Sequence, residues 1–365
     1  MKMKENVRLF AIIGFLFLVL YIFFAAKPFG KELSLTPYWT ISITDKEVFL
    51  DSEEKPETVL PFKLGQNMGY FTPKGNIVLL ESFPFKASIS KNFRSSYSQD
   101  ADNIRFSSYD TDKNIKENLK SYNYIKGSGF PFFVEDRIFL FMPGGFGFSK
   151  CDNEGNISWS FNNYVPLISF SSSEAGISTG YADGTIIVFD NDGNIRQTLE
   201  PGGSTYPVIL GSDLSKSGKQ FACISGIDRQ RFVLNQEKNG FSKVVFHRYL
   251  DTDQKEPVLV QFSEDEKTVY YNCSKGLGIV NCETFVNKII PLKGKIISIQ
   301  EAPLLNLTCV LTKSINEYSI YFIEDFDHLI GNFSFEASSA FITIEDNMLF
   351  IGKNDEISCV KMEQK

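Results

Sequence analysis

Residues 166–200 read PLISFSSSEAGISTGYADGTIIVFDNDGNIRQTLE. Turn chemistry alone divides this stretch into four short apolar runs: 166–171, 176–181, 185–190 and 195–199. The breaks are a polar Ser-Ser-Glu-Ala step, Ala182-Asp183-Gly184 and Asn191-Asp192-Gly193-Asn194. Asp-Gly between β-branched runs is a strong hairpin signal, because glycine accepts the positive φ that such turns require. Four strands joined by three tight turns form an antiparallel meander, the size of one propeller blade.

Working outward, the same unit recurs. Runs at 132–161, 208–249, 258–292 and 296–335 each contain four β-rich segments split by turn residues. Pro131, Pro166, Pro207 and Pro257 sit at or just before the first run of a copy, where a strand needs no ladder donor. A longer copy spans 69–119, and within it residues 83–109 form an irregular insert read as an elongated hairpin or projecting loop. The C-terminal piece, 341–362, has only three runs, and the N-terminal piece, 38–63, can complete it. Self-similarity at this spacing predicts an all-β propeller. The expectation is about seven four-stranded blades, with six or eight as alternatives, closed by strands from both chain ends so that no sheet edge stays free.

The chain has 365 residues and a net charge of −7. Lys2, Lys4, Arg8 and Lys27 stand against Glu5 in the first thirty residues, a balance of +3 that leaves −10 for the rest. An acidic body lacks the basic footprint of a nucleic-acid binder. The uncharged run from Leu9 to Ala26, LFAIIGFLFLVLYIFFAA, would extend roughly 27 Å as a helix, enough for a bilayer core. Basic residues before it predict a cytoplasmic N-terminus (1–8), a transmembrane signal-anchor (9–26), a linker (27–37) and a propeller (38–365) outside the cytoplasmic membrane. A cleaved signal peptide is the alternative, although Phe24 stands where cleavage favours a small residue.

At 212–234 (SDLSKSGKQFACISGIDRQRFVL) and 262–280 (FSEDEKTVYYNCSKGLGIV) the chain resembles WD40-like propellers, in which a strand ends in Ser and a polar turn leads into an apolar strand. The turns 182–186 and 192–195 look like those of quinoprotein-type and outer-membrane-assembly propellers. The resemblance implies a rigid platform whose loops and channel mouth bind partners.

Catalytic signals are sparse. His247 and His328 are the two histidines, and no metal-ligand spacing accompanies them. Gly176-Ile177-Ser178-Thr179-Gly180 matches the serine-hydrolase elbow pattern but falls inside a strand, without the helix the elbow needs. Asp190-Asn191-Asp192-Gly193 lacks the remaining ligands of a calcium loop. The six cysteines lie in or at the ends of apolar strands and are read as buried thiols, with Cys273 placed opposite Gly278. The insert is the candidate partner-binding element, through Phe85, Lys86, Lys91, Phe93, Arg94, Tyr97 and Arg105. Residues 226–231 (GIDRQR) form a second charged turn, read as a solvated hairpin tip. The expectation is therefore a non-catalytic, membrane-anchored scaffold in a bacterial envelope with a protein partner, no cofactor, no metal and no nucleic acid. The alternatives are an enzyme or cofactor protein using the channel, and a glycan or peptidoglycan sensor.

Overall fold

The computed structural model of the protein describes residues 14–18, 20–21, 32–98, 103–238, 241–251 and 254–364. They form eight antiparallel sheets in a ring, seven of four strands and one of three. The inner strands are, for blades 1 to 8, Leu60–Leu64, Lys86–Ile89, Phe130–Val134, Leu167–Ser173, Ile209–Leu214, Val260–Phe262, Lys295–Ala302 and Ala340–Glu345. Blade 4 comprises Leu167–Ser173, Gly176–Tyr181, Ile186–Phe189 and Ile195–Leu199, within a residue or two of the runs expected from the turn chemistry.

No single core holds the molecule together. Buried apolar clusters lie between neighbouring blades, and each of the eight interfaces has one. Between blades 3 and 4, for example, Phe139 and Phe148 meet Ile177, Tyr181, Ile187 and Phe189. The heavy use of phenylalanine follows, because sheets stacked face to face need wide side chains between them. Both tryptophans serve these interfaces in the same way. Trp159, on the outer strand of blade 3, covers Gly193 in a turn of blade 4 and donates its indole N–H to Asn191 O at 3.0 Å. Trp39, on the outer strand of blade 8, covers Gly75 of blade 1 and donates to Pro73 O at 3.2 Å.

The ring has eight blades rather than seven because residues 60–125, taken in sequence as one copy with a flanking segment, contain two blades. Blade 1 is Leu60–Leu64, Asn67–Phe71 and Ile77–Ser82. Blade 2 is Lys86–Ile89, Phe93–Tyr97, Ile104–Ser108 and Asn123–Ile125, so the insert at 83–109 is not a projection but the body of a blade. Its polar strands, such as FRSSY and IRFSS, hide the usual alternation. Residues 115–119, the end of the copy expected over 69–119, belong to the helix Ile115–Lys120, which a capping box between Asn114 and Glu117 starts.

Blade 1 also runs upside down. Inner strands elsewhere lie parallel: Phe133 N donates to Ser88 Oγ at 3.1 Å and Ser90 Oγ donates to Glu135 O at 2.7 Å, in step along blades 2 and 3. In blade 1, Lys63 reaches Ala87 O while Tyr70, paired with Pro61, reaches Ser90 O, so the sense is reversed. On its other side Phe62 stacks on Phe341 and Gly65 lies against Ser339. Strand parity explains this. A four-stranded meander leaves the ring on the rim where it entered, and a three-stranded one leaves on the opposite rim. Residues 43–59 carry the chain across the outside of the ring to the reversed entry.

Closure follows the expected scheme with a different strand. Leu33–Ser42 is the outer strand of blade 8, antiparallel to Glu356–Gln364, with a register shift at Pro37. Ordered sheet therefore begins inside the expected linker, at Leu33. Of the apolar run 9–26, residues 14–18 and 20–21 are described; they are helical, with Phe15, Leu16, Phe17, Leu18, Leu20 and Tyr21 exposed, and the rest lies outside the described residues. Among the described residues no helix is long and apolar enough to cross a membrane.

Candidate functional site

The two rims of the ring differ. One, the turn rim, carries the first-to-second turns of blades 2 to 8 and the third-to-outer turns of blades 2 to 7. The other, the crossing rim, carries their second-to-third turns and the links between blades.

The channel mouth on the turn rim is a cavity of about 430 Å³, walled by the inner strands of blades 3 to 6. Asp213 lies on its wall. Its carboxylate accepts from the Ser171 hydroxyl of blade 4, from Leu214 N at 3.0 Å, and from Phe262 N of blade 6 at 2.7 Å. Ser169 and Ser212 share a further bond at 2.9 Å. Burial pushes the Asp213 carboxyl up to about 6, against the opposing pull of these donors. A shifted carboxyl in a cavity is a common mark of an active site. Here its oxygens are engaged in joining three consecutive inner strands, so its geometry is that of a clasp. Beside it, between blades 6 and 7, a hollow of about 280 Å³ contains Glu264, Asp265, Glu301 and Asp325. Tyr270 Oη and Glu264 N donate to Glu301 at 2.8 and 2.9 Å, and burial raises its carboxyl. Among the described residues no group of three or more His, Cys, Asp or Glu side chains could hold a metal ion.

The turn rim is strongly acidic. Asp152 and Asp190 each accept two backbone N–H groups of their own turn and the side-chain amide of the asparagine four residues on. The 190–193 sequence is thus a self-capped turn.

The crossing rim presents apolar side chains to solvent. Tyr164, between blades 3 and 4, is fully exposed, and Ile315, in a turn of blade 7, is 91% exposed. Phe85, Phe146 and Tyr206 join them. Tyr206 is held in place from the neighbouring turn: Asp228 accepts from the Ser204 hydroxyl, from Thr205 N at 3.0 Å and from Tyr206 N at 3.4 Å. Those bonds hold the Asp228 carboxyl well below the usual range. Arg231 donates to Pro201 O from the other side. Gly203 allows this packing, since a Cβ there would come within 3.1 Å of Tyr249 Oη and 3.4 Å of Arg231 Nη1.

The structure does not gather the candidate insert residues into one patch. Phe85 and Lys86 are exposed at the crossing rim, and Lys91 is in a turn on the opposite one. Phe93 is core. Arg94, 2% exposed, pairs with Glu81 at 3.0 Å across the blade 1–2 interface. Tyr97 packs against Phe130, and Arg105 lies over Tyr122 at 4.3 Å. His247 is on the outer strand of blade 5, and His328 opens that of blade 7 beside Glu324 at 3.4 Å. The six cysteines are free and buried. Cys273 pairs with Gly276 and Tyr271 with Gly278, two residues from the expected register, because the turn is Ser274-Lys275. Asp213, Tyr164 and Tyr206 were not singled out in sequence, and Arg231 was read only as part of the charged turn 226–231. The available signal was position: Tyr164 and Tyr206 immediately precede the Val165-Pro166 and Pro207 that open blades 4 and 5.

The ring is a WD40- and quinoprotein-like β-propeller. The chain belongs to the family described as beta-propeller protein, whose model matches residues 1–364. An uncharacterized protein of Treponema pallidum (strain Nichols) is 30% identical over 359 residues, covering 96% of this chain and 93% of that one. Among solved structures, BamB from Moraxella catarrhalis superposes with a TM-score of 0.58 at 10% identity, over 90% of this chain and 100% of the other. A chain of a mitotic checkpoint complex gives 0.52 at 11% identity, over 92% and 94%. The computationally designed Ika8 protein gives 0.58 at 13% identity, over 87% and 96%. At these identities the structural matches establish the fold.

Proposed function

We propose that the protein is a membrane-tethered, extracytoplasmic propeller that serves as a non-catalytic protein-interaction scaffold in a bacterial envelope. The observation that carries this reading is the crossing rim, where Phe85, Phe146, Tyr164, Tyr206 and Ile315 face solvent on short links and turns. Exposed aromatics on a rigid frame are the residues that anchor protein interfaces. One structural relative comes from a multiprotein assembly, the mitotic checkpoint complex, which agrees with such a role.

The tether is the apolar run 9–26 behind Lys2, Lys4 and Arg8. It joins the ring at the turn rim, since Leu33 pairs with Gln364, whose side chain donates to Leu305 O at 3.0 Å. The crossing rim is then the one remote from the point of attachment. A photo-crosslinking amino acid at Tyr164 or Tyr206 should yield a discrete adduct in intact cells, and one at Asp192 on the turn rim should not. Equal adducts from both rims, or none from either, would remove the assignment. Extraction of the intact protein by carbonate without detergent would remove the tether.

A further inference from the structure

At the corner of blades 4 and 5, two guanidinium groups share one aromatic ring. Arg229 lies over Tyr249 at 5.2 Å and Arg231 lies over the same ring at 5.9 Å. Neither has a carboxylate partner among the described residues, and the nearby Asp228 points its oxygens into the 204–206 link. Two lysines of the same rim do have carboxylate partners: Lys275 pairs with Asp251 at 3.2 Å and Lys295 with Glu256 at 2.8 Å. Two like charges over one ring repel each other, and the weak attraction of the ring for each only partly offsets that repulsion. An anion placed between them would relieve that repulsion. Tyr206, exposed, stands three residues beyond Gly203, whose backbone packs against Tyr249 and Arg231.

We infer that this corner is the docking point for an acidic segment of a protein partner, with a carboxylate on Arg229 and Arg231 and an apolar side chain against Tyr206. This rests on the scaffold reading above and supplies the chemistry of its partner. Charge complementarity selects the occupant. The body of the protein carries a formal −10 and the turn rim is lined by carboxylates, so an acidic segment is disfavoured over most of the surface, while two guanidinium groups gathered on one ring attract it. A membrane surface fits less well, because the tether enters on the opposite rim.

The full-length protein in zwitterionic nanodiscs provides the test. The probes are a fluorescein-labelled peptide of repeated Glu-Ser-Phe units, its Lys-Ser-Phe counterpart, inorganic phosphate and anionic nanodiscs. Binding of the acidic peptide should weaken roughly tenfold or more in Arg229→Glu, and likewise with added salt. Tyr206→Ala should weaken it independently, and Asp192→Lys should leave it unchanged. Arg229 is exposed, so its replacement leaves the fold intact, which a thermal melt verifies. The inference fails if the acidic peptide does not bind, binds Arg229→Glu equally, or binds no better than the basic one. It also fails if phosphate alone displaces the peptide, or if the corner instead recruits anionic nanodiscs through Arg229. An adduct at Tyr164 that survives any of these failures would leave the scaffold reading in place.

Discussion

Gly278 has no room for a side chain. A Cβ there would lie 2.0 Å from the ring of Tyr271, its cross-strand partner in blade 6. The ring cannot swing aside, because it stacks on Phe232 at 4.5 Å and its hydroxyl accepts from Asn287 at 2.9 Å. Gly352 and Phe341 repeat the device in blade 8. Gly278→Ala should therefore cost about 2–3 kcal/mol of stability, seen as a lowered melting temperature, and Tyr271→Leu in the same chain should recover part of it. Asp213 gives a second prediction at this scale. Its carboxyl has an ordinary value of 3.8 and is raised to about 6 in the fold, so the native state binds the proton more tightly than the unfolded chain. Its contribution to stability is then greatest below the unfolded value, declines as pH rises through roughly 4 to 6, and is flat above. Urea melts across that window should show Asp213→Asn gaining on the wild type with rising pH, by up to about 3 kcal/mol. A constant difference would mean that Asp213 does not titrate there. Neither residue is visible as special in sequence, since each depends on a side chain from another strand or blade.

The elements were legible wherever a turn carried its own chemistry. Asp183-Gly184 and Asp190 to Asn194 mark the hairpins of blade 4 because the side chains that shape them lie inside the turn. Blade 2 was obscured by Ser95, Ser96, Ser107 and Arg94, which make a strand look like loop; Ser95 in fact bonds Arg105 O at 2.7 Å, and Arg94 is neutralised by blade 1. The helix Ile115–Lys120 was missed because its signal is the local pair Asn114 and Glu117, not a long apolar face. The strand Leu33–Ser42 shows the opposite case, where Pro28, Gly30 and Pro37 suggest a linker but pairing with Glu356–Gln364 imposes a strand. That strand is the latch of the ring. Removing residues 32–42 would bare the edge of Glu356–Gln364 and uncover Phe71 and Phe350, which Trp39 packs against. A chain without them should lose its cooperative melt and self-associate on size exclusion, and a peptide of that sequence added in trans should restore both properties. A monomeric truncation with unchanged melting would show that the latch is dispensable.

For the whole molecule, stability is distributed: eight interfaces, each with its own cluster, and no interior remote from the rims. Such a ring was readable from the recurrence of four-strand units, and the number of its blades was not, because one blade departs from the pattern in strand count and direction. That departure has a consequence for the architecture. Ser42 ends the outer strand of blade 8 on the crossing rim, opposite Glu356, and Lys86 begins the inner strand of blade 2 on that same rim. The excursion through 43–85, which includes all of the reversed blade, begins and ends where an ordinary link would. It is a removable cassette: without it the remaining sheets could still follow one another in a uniform sense, and the circle could shrink from eight to seven without rewiring any other connection.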